Sequence, residues 1–430
     1  MKLDPAFSLG GHLATALSSA CNVSNPTHFV SNEDGMRLAL IRAMQTSGLS
    51  DPNPTVGCIV SKNGHVIATG SSQAVGGLHA ERVALNTMGA STSAQGSTLF
   101  TTLEPCSHTG AQPPCCERII EAGVTRCVVG VQDSNPVVNG KGIAWLRAAG
   151  IEVTTNVLQS ECAAWHLPFL LRAKLKRPII AAKWGQTLDG QLAFDSGTPQ
   201  WITGKTAKRY AHWLRQRYDG IVIGAGTAIN DLPRLTVRHA PFSKHRNPVR
   251  VVLDPNNRIL SSGKWQRLLG TIFNEESKVV LICSKPVDVA SKQRMDHLRS
   301  LDHIVARCIE PQENLIDKLF QVASESSVIS QLGRPLNSLL IEGGPRLHSL
   351  FFRRNLVDVS HILIAPIIGG GAKHRIVSCA ERSLRMSVTG TYTLGEDILV
   401  EMVGAHATQF FSSASGFENQ ISIQGVAHHG

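Results

Sequence analysis

Residues 103–119 read LEPCSHTGAQPPCCERI and place three cysteines and a histidine between neighbouring prolines. Such a stretch can be a metal site, a group of disulfides or an ordinary loop. The ten cysteines of this 430-residue chain are spread from Cys21 to Cys379 rather than concentrated in one region. That distribution favours a reducing compartment over a disulfide framework, so a metal site and an ordinary loop remain.

Upstream residues complete a pattern that favours the metal site. His79 and Glu81 lie two positions apart at the start of a predicted helix, ahead of Pro105-Cys106 and then Cys115. This order is typical of zinc nucleobase deaminases, in which one histidine and two cysteines bind zinc and the glutamate does not. Three protein ligands leave a fourth position for water, as in catalytic zinc sites. We therefore predict that His79, Cys106 and Cys115 bind zinc and that Glu81 transfers protons.

Three neighbouring residues receive separate interpretations. Cys116 would point about 100° around a helix from Cys115, so we expect it to pack rather than bind the same ion. His108 lies inside the loop and is expected to contact substrate rather than metal. Asn53, in the stretch DPNPTVG, is either a hydrogen-bond partner of a base or a turn residue, and both interpretations remain open. Buried core thiols or a structural metal are the alternatives to a catalytic zinc.

The charge and hydropathy of the chain limit the kinds of molecule that it is expected to bind. The chain has 42 Lys+Arg and 32 Asp+Glu, a net charge of +10, but aromatic residues make up only 5%. The basic residues are spread along the chain, so phosphorylated small molecules explain the charge as well as nucleic acid does. No apolar run approaches the ~20 residues that span a bilayer, and residues 1–30 fit neither a secretory signal nor a transit peptide. We expect a cytoplasmic homo-oligomer that acts on small molecules, with no nucleic-acid or membrane partner.

The order of predicted elements divides the chain into two α/β domains. A helix capped by Ser31 and a hairpin turn at Asn63-Gly64 are followed by alternating strands and helices. At Pro178, after a helical stretch, the strand pattern restarts with PIIAAKWG. We expect a loosely ordered tail after Gly404. The predicted regions are an N-terminal extension (1–30), a first domain (31–160), a linker helix (161–177), a larger second domain (178–404) and the tail (405–430).

Several segments resemble one known family. In the first half these are NPTVGCIV, TLEPCSHTG, PPCCERIIEAGV and NPVVNGKGI; in the second half, KWGQTLDGQLA, GIVIGAGTAINDLPRLTVR, IEGGPRL and APIIGGGA. They are similar to the bifunctional riboflavin-biosynthesis deaminase/reductases over roughly residues 32–403. Other zinc deaminases have P-C-x-x-C, whereas here the second cysteine follows nine positions after the first. The resemblance implies a cytidine-deaminase-like three-layer α/β/α domain followed by a dihydrofolate-reductase-like α/β domain that uses NADPH.

The resemblance also implies a reaction and a second set of site residues. The first half would hydrolyse the 2-amino group of a diaminopyrimidine carrying a phosphoribosylamino group, and the second would reduce the ribosyl group to ribityl. The glycine clusters GAGT and GGGA follow apolar strands, where bare backbone amides approach phosphates, and neither is a Rossmann fingerprint. Carried over by position, the catalytic residues are Lys183 and Asp231; the cofactor residues are Gly185, Trp201, Thr227, Asp231, Gly343 and Gly344; and the substrate residues are Arg215, Leu235, Arg238 and Glu342.

Three departures from the family pattern leave alternatives open. Ala111-Gln112 replaces an arginine-threonine pair, Gln191 replaces the arginine of L-D-G-R, and Leu232 replaces the second acid of D-D-P. One alternative is a working deaminase with an impaired or repurposed reductase domain. The other is a zinc deaminase that acts on bases in RNA, against which the cysteine spacing and the low aromatic content argue.

Overall fold

The computed structural model describes residues 31–50, 52–88, 93–110, 112–135, 138–192, 202–238, 246–370, 376 and 384–411. The predictions for residues 1–30 and for Trp201 lie outside this part of the chain. No helix within it is both long and apolar enough to cross a lipid bilayer.

The first half is built on a five-stranded sheet. Its strands are β1 (Gly57–Lys62), β2 (His65–Ser71), β3 (Thr98–Leu103), β4 (Arg126–Val131) and β5 (Glu152–Thr154), and its helices are α1 (Asn32–Met44), α2 (Ala80–Asn86), α3 (Cys115–Glu121) and α4 (Lys141–Ala148). The spatial order is β2-β1-β3-β4-β5, with β1 antiparallel to both neighbours and β3, β4 and β5 parallel. This arrangement confirms the cytidine-deaminase-like α/β fold.

Local sequence patterns account for the first elements. Ser31 caps α1 by accepting a hydrogen bond from the backbone N–H of Asp34. Asn63 and Gly64 both have positive φ, 53° and 76°, as a type I′ hairpin turn requires. A side chain at Gly57 would clash with the carbonyl oxygen of Ala39, so glycine lets α1 lie directly on the sheet. These features confirm the predicted cap and hairpin.

The second half is built on a nine-stranded sheet in the order β10-β9-β8-β7-β11-β6-β12-β14-β13. Its strands are β6 (Ile179–Thr187), β7 (Gly220–Gly224), β8 (Val249–Asp254), β9 (Val279–Ser284), β10 (Ile304–Ile309), β11 (Ser338–Ile341), β12 (Val359–Ala365), β13 (Ser387–Leu394) and β14 (Asp397–Val403). The seven strands from β10 to β12 are parallel, whereas β14 is antiparallel to both of its neighbours. The carboxyl ends of the parallel strands therefore meet at one edge of the sheet, where ligands commonly bind.

The helices of the second half include elements that the pattern did not predict. They are α6 (Lys205–Arg217), α7 (Ala225–Asp231), α8 (Trp265–Leu269), α9 (Val289–Arg299), α10 (Leu315–Ser324), α11 (Ser326–Leu332) and α12 (Pro345–Phe352). The glycine cluster GAGT, which the sequence analysis places after an apolar strand, begins α7, and Gly224 is the N-cap of this helix. The start of the tail packs on the fold: Ala407 is buried, Lys174 donates to Gln409 at 2.9 Å, and the Phe410-Phe411 pair, which the sequence suggested could pack locally, lies against the core. The rest of that tail lies outside the described residues.

The predicted linker is α5 (Gln159–Leu175), and it contacts both halves. On one side, the indole N–H of Trp165 donates to the Thr55 carbonyl at 2.8 Å, and His166 bonds to Thr102 at 3.0 Å. On the other side, the guanidinium of Arg217 lies 5.0 Å from the ring centroid of Trp165 and 5.0 Å from that of Trp213. The core of the first half is continuous with that of the second through this helix.

We expect a fragment starting at residue 159 to have a higher melting temperature than one starting at residue 177. The shorter fragment loses the Trp165 ring beside Arg217 and the α5 carbonyls to which Arg217 donates, and it uncovers part of the core around Trp213. Thermal melts of the two fragments, followed by circular dichroism, make the comparison. Equal melting temperatures would show that α5 belongs to the first half alone.

Candidate functional site

A candidate metal centre lies in the first half. The ligand atoms of His79, Cys106 and Cys115 all lie within 4.8 Å of one another, and the described residues contain no other such group of three. The Nδ1 atom of His79 is 3.5 Å from the Cys106 Sγ and 3.4 Å from the Cys115 Sγ. A tetrahedral zinc with its usual bond lengths would separate a nitrogen and a sulfur ligand by about 3.5 Å. The three side chains therefore fit one zinc ion.

Local structure brings these three residues together. His79 is the N-cap of α2, Cys115 is the first residue of α3, and Cys106 follows the end of β3. The backbone N–H of Cys115 donates to the Cys106 Sγ at 3.2 Å. Hydrogen bonds from the side chains of Cys115 and His79 lower the pKa of the Cys106 thiol to about 4. Cys106 is therefore held as the thiolate that binds metal.

Glu81 adjoins the cluster without belonging to it. Its Oε2 lies 3.6 Å from the Cys115 Sγ and its Oε1 lies 3.5 Å from the Thr101 hydroxyl. The residue is 3% exposed, and burial raises the pKa of its carboxyl group. A carboxyl group whose pKa is raised toward neutrality accepts and returns protons efficiently. This placement is the one that proton transfer beside a metal requires.

The other residues of the cysteine loop face away from the cluster or into solvent. The Cys116 Sγ lies 3.6 Å from the carbonyl oxygens of both Pro105 and Gly142, so it packs as the helical geometry predicts. His108 is exposed. Gln112 donates to the Gly76 carbonyl at 3.2 Å and so joins the cysteine loop to the segment ahead of His79. Ala111 lies outside the described residues.

Glu104 is a site residue that the sequence interpretation missed. It is 4% exposed. Its Oε2 accepts hydrogen bonds from the backbone N–H groups of Asp133 at 3.2 Å and Gly140 at 3.0 Å, and its Oε1 accepts from those of Gly142 at 3.0 Å and Ile143 at 3.3 Å. One carboxylate thereby fixes the loop before α4 against the residue that precedes Pro105-Cys106. The glutamate of the E-P-C stretch was the available signal, but its four partners are visible only in the fold.

We expect Glu104→Gln to reduce zinc affinity, or the deamination that the sequence predicts, by about 10- to 100-fold, as loss of a group that orients metal ligands typically does. Both carboxylate oxygens now accept hydrogen bonds from backbone N–H groups. In glutamine an NH₂ group replaces one of these oxygens, and it cannot accept a hydrogen bond. Zinc competition titrations and ammonia release measure the two effects. Glu117→Gln, on the exposed side of α3, is the matched control. Unchanged affinity and activity in the Glu104 variant would show that the loop is held by other contacts.

A second cluster lies in the second half, between the middle of β6 and the carboxyl end of β11. Arg215 donates to both Glu342 oxygens at 2.9 Å through Nε and Nη2, and the Lys183 Nζ lies 3.9 Å from Glu342 Oε2. Burial alone would raise the pKa of Glu342, but Arg215 and Lys183 lower it to about 2. Burial also lowers the pKa of Lys183. The cluster is a buried carboxylate between two cations, one of which has a lowered pKa.

A cleft of about 710 Å³ opens at the carboxyl ends of β7, β8 and β11. Its volume falls within the range of about 300–1,000 Å³ that is usual for cofactor sites. Thr227, Asp231 and Gly344 line it, and Gly343 precedes Gly344 at the start of α12. The Gly185 backbone lies beside Thr203, whose methyl carbon would be 3.2 Å from a Cβ at that position. The cleft therefore brings together Thr227, Asp231 and Gly344, whereas Gly185 lies within β6 and does not line it.

The remaining candidate residues have less direct roles in the structure. Arg238 is exposed, and burial together with the charge of Arg215 lowers its pKa. Leu235 is buried with a φ of 53°, and Leu232 ends α7 with a φ of 44°; such values are rare for leucine and concentrate at functional sites. Gln191 is buried. The Asn53 N–H donates to the Ser50 carbonyl at 2.9 Å, which places Asn53 in a turn.

Comparisons with known proteins agree with both halves. The family model described as the cytidine and deoxycytidylate deaminase zinc-binding region matches residues 30–131, and the RibD C-terminal domain matches residues 178–400. The fold and the two sites define a bifunctional enzyme, a zinc-dependent deaminase joined to an NADPH-dependent reductase. The chain belongs to the RibD family of riboflavin biosynthesis proteins.

Relatives match over almost their whole length. The riboflavin biosynthesis protein RibD of Aquifex aeolicus is 36% identical over 85% of this chain and 96% of its own, and that of Escherichia coli is 33% identical over 79% and 89%. The structure of a Thermotoga maritima diaminohydroxyphosphoribosylaminopyrimidine deaminase/5-amino-6-(5-phosphoribosylamino)uracil reductase superposes with a TM-score of 0.69 at 30% identity, covering 86% of this chain and 98% of that one. These matches do not favour an impaired reductase or an RNA deaminase.

Proposed function

We propose that the first half hydrolyses the 2-amino group of 2,5-diamino-6-(5-phosphoribosylamino)pyrimidin-4(3H)-one and that the second half reduces the ribosyl group of the product to ribityl with NADPH. The geometry of His79, Cys106 and Cys115 beside the buried Glu81 is the observation that carries the proposal. It supports hydrolysis of an amino group on a heterocycle, the chemistry of zinc deaminases. The names of the relatives support the particular substrate.

In the deaminase site each residue has a distinct task. His79, Cys106 and Cys115 would hold the zinc, which would lower the pKa of a bound water toward neutrality. Glu81 accepts a proton from the attacking water and returns protons to the ring nitrogen and to the departing ammonia. Asn53 is proposed to hydrogen-bond the base, supported by the resemblance alone. Water replaces the amino group, so no oxidant or reductant is consumed.

In the proposed reductase site, the residues that would bind the cofactor and donate a proton come from strands of the nine-stranded sheet and the segments that follow them. Gly185, Trp201, Thr227, Asp231, Gly343 and Gly344 would hold NADPH, which would supply the hydride. The Lys183 ammonium group, with its lowered pKa, is placed to donate the proton that accompanies reduction. Arg238 is exposed and is proposed to bind the substrate phosphate, and Leu235 is proposed to contact the substrate on the resemblance alone. Arg215 shares two of its N–H groups with Glu342, so it provides positive potential and orients Glu342.

Incubating the purified enzyme with each substrate, with and without NADPH, tests both reactions. The diaminopyrimidine should release ammonia without NADPH, and the deaminated product should then oxidise NADPH. Ammonia release without subsequent NADPH oxidation would refute the reductase. NADPH oxidation with no ammonia release would refute the deaminase.

We expect Cys106→Ser to lose the zinc, because a neutral hydroxyl replaces one of two thiolates and leaves the site a ligand short. Cys116→Ser is the matched control and should keep one zinc per chain, since its sulfur points to backbone carbonyls. Elemental analysis of both folded proteins makes the measurement. Zinc retained in Cys106→Ser, or lost in Cys116→Ser, would contradict the ligand assignment.

We further propose that the enzyme works in the cytoplasm as a homo-oligomer on small molecules, without nucleic acid. All eight cysteines that the structure describes are free thiols, which supports a reducing compartment. Analytical ultracentrifugation tests the oligomeric state, and a gel shift with RNA at physiological salt tests the last point. A sedimentation coefficient of a monomer, or tight RNA binding, would contradict the proposal.

A further inference from the structure

Two cysteines face each other on neighbouring strands at one edge of the nine-stranded sheet. Cys283 lies in β9 and Cys308 lies in the edge strand β10, and the two are direct partners in the parallel register. Register partners on adjacent strands point to the same face of a sheet. Cys283 accordingly belongs to a core cluster against which Cys308 packs. Both are free thiols, and neither has a part in the two proposed reactions.

The backbone positions of this pair suit a disulfide bond. Neighbouring strands lie about 4.8 Å apart, and disulfides join residues whose Cα atoms are about 4.4–6.8 Å apart. The two thiols already form a hydrogen bond with each other, so the sulfurs need only a short approach of their side chains. The strand β10 has β9 as its one neighbour in the sheet. It can therefore adjust toward β9 without breaking strand pairing on its other side.

The two thiols differ in exposure and in surroundings. Cys283 is 0% exposed, and burial, followed by the charge of the Cys308 sulfur, raises the pKa of its thiol to about 12. Cys308 is partly exposed, and Nη2 of Arg299, in the last turn of α9, donates to its sulfur at 3.6 Å. Cysteines that react with peroxides are accessible, lie beside a positive charge and often have a second thiol next to them. Cys308 therefore matches the sulfur that reacts first, and Cys283 matches the sulfur that follows it.

We propose that Cys308 and Cys283 form a reversible disulfide when the protein meets hydrogen peroxide. The Cys308 thiolate attacks one peroxide oxygen, an S–O bond forms as the O–O bond breaks, and hydroxide leaves. The Cys283 thiol then gives its proton to the sulfenic hydroxyl, and an S–S bond forms as the S–O bond breaks and water leaves. Overall, the two thiols lose two electrons and two protons to the peroxide, which becomes two molecules of water. The pair thereby keeps Cys308 from irreversible oxidation to sulfinic acid, and this role depends on neither proposed activity.

Mass spectrometry of the full-length protein tests this proposal, with zinc added to keep Cys106 and Cys115 from reacting with each other. After treatment with hydrogen peroxide, the remaining free thiols are blocked with N-ethylmaleimide in denaturant and the protein is digested. We expect a cross-linked peptide that joins Cys283 to Cys308 and is two hydrogen atoms lighter than its reduced parts. Dithiothreitol should abolish this peptide. Cys162→Ser, which removes another buried thiol, is the matched control and should form the same cross-link.

Two variants separate the steps of the reaction. In Cys283→Ser, dimedone should trap Cys308 as the sulfenic acid, and excess peroxide should carry Cys308 on to the sulfinic acid. In Cys308→Ser, Cys283 should stay unmodified. Complete alkylation of both thiols in the peroxide-treated wild type would overturn the proposal, and so would equal rates of sulfinic acid formation at Cys308 in the wild type and in Cys283→Ser. The cross-link in the wild type is decisive even if a variant fails to fold.

Discussion

The Glu81→Gln enzyme is expected to retain its zinc while deamination falls by at least about 10²- to 10⁴-fold, the usual contribution of a positioned proton-transfer group. Glutamine preserves the size of the side chain and can still accept a hydrogen bond from Thr101. It cannot accept a proton from water and return it to the departing amino group. Because the same residue serves successive steps, the loss is expected at the upper end of this range or beyond it.

Three measurements distinguish the possible roles of Glu81. Elemental analysis reports zinc, ammonia release reports deamination, and NADPH oxidation with the deaminated substrate reports the other half. Glu121→Gln, exposed at the end of α3, is the control. Deamination near the wild-type rate would refute the proton-transfer role, and loss of zinc would make Glu81 a ligand. Loss of both activities in a folded protein would mean that the two halves depend on one site.

Glu342→Gln is expected to lower the free energy of unfolding by about 3–5 kcal/mol, because it leaves Lys183 and Arg215 buried without their counter-charge. The reductase rate should fall by about 10²-fold or more, since displacing a catalytic group by about 1 Å has that effect. Chemical denaturation and NADPH oxidation provide the two measurements. Glu325→Gln removes a similar but more exposed pair with Arg307 and should cost no more than about 1 kcal/mol. Equal effects of the two substitutions would show that the buried cluster contributes no special stability.

The same cluster predicts a pH dependence. The folded-state pKa of Glu342 is lowered to about 2 from an ordinary value of 4.5, so its ionised form stabilises the fold. That contribution is complete above about pH 4.5 and is lost as the pH falls toward 2. The stability difference between the wild type and Glu342→Gln should therefore shrink as the pH is lowered from 5 to 3. A difference that stays constant over this interval would mean that the charge of Glu342 is not what stabilises the cluster.

The sequence by itself determined the features that depend on short spacings. The order of His79, Glu81, Cys106 and Cys115 predicted the candidate metal centre, because each proposed ligand lies at or near a helix start or a strand end whose local pattern is strong. The Ser31 cap and the Asn63-Gly64 turn depend on the backbone preferences of a few neighbouring residues. The alternation of strands and helices was visible for the same reason, whereas α7 was missed because its start is rich in glycine.

Tertiary structure alone decided which distant groups became partners. The Glu104 carboxylate accepts hydrogen bonds from backbone N–H groups 29 to 39 positions away, and Arg215 pairs with Glu342 across 127 positions. No local preference encodes such contacts, since they depend on how the strands are ordered and on which side chains the core leaves buried together. Tertiary structure also decided the role of α5. The sequence predicted a linker helix, and the packing of Trp165 against Arg217 joins this helix to the second half as well as to the first. Burial then shifted the pKa values of Glu81 and Lys183, whereas the neighbouring charges of Arg215 and Lys183 outweigh burial and lower the pKa of Glu342.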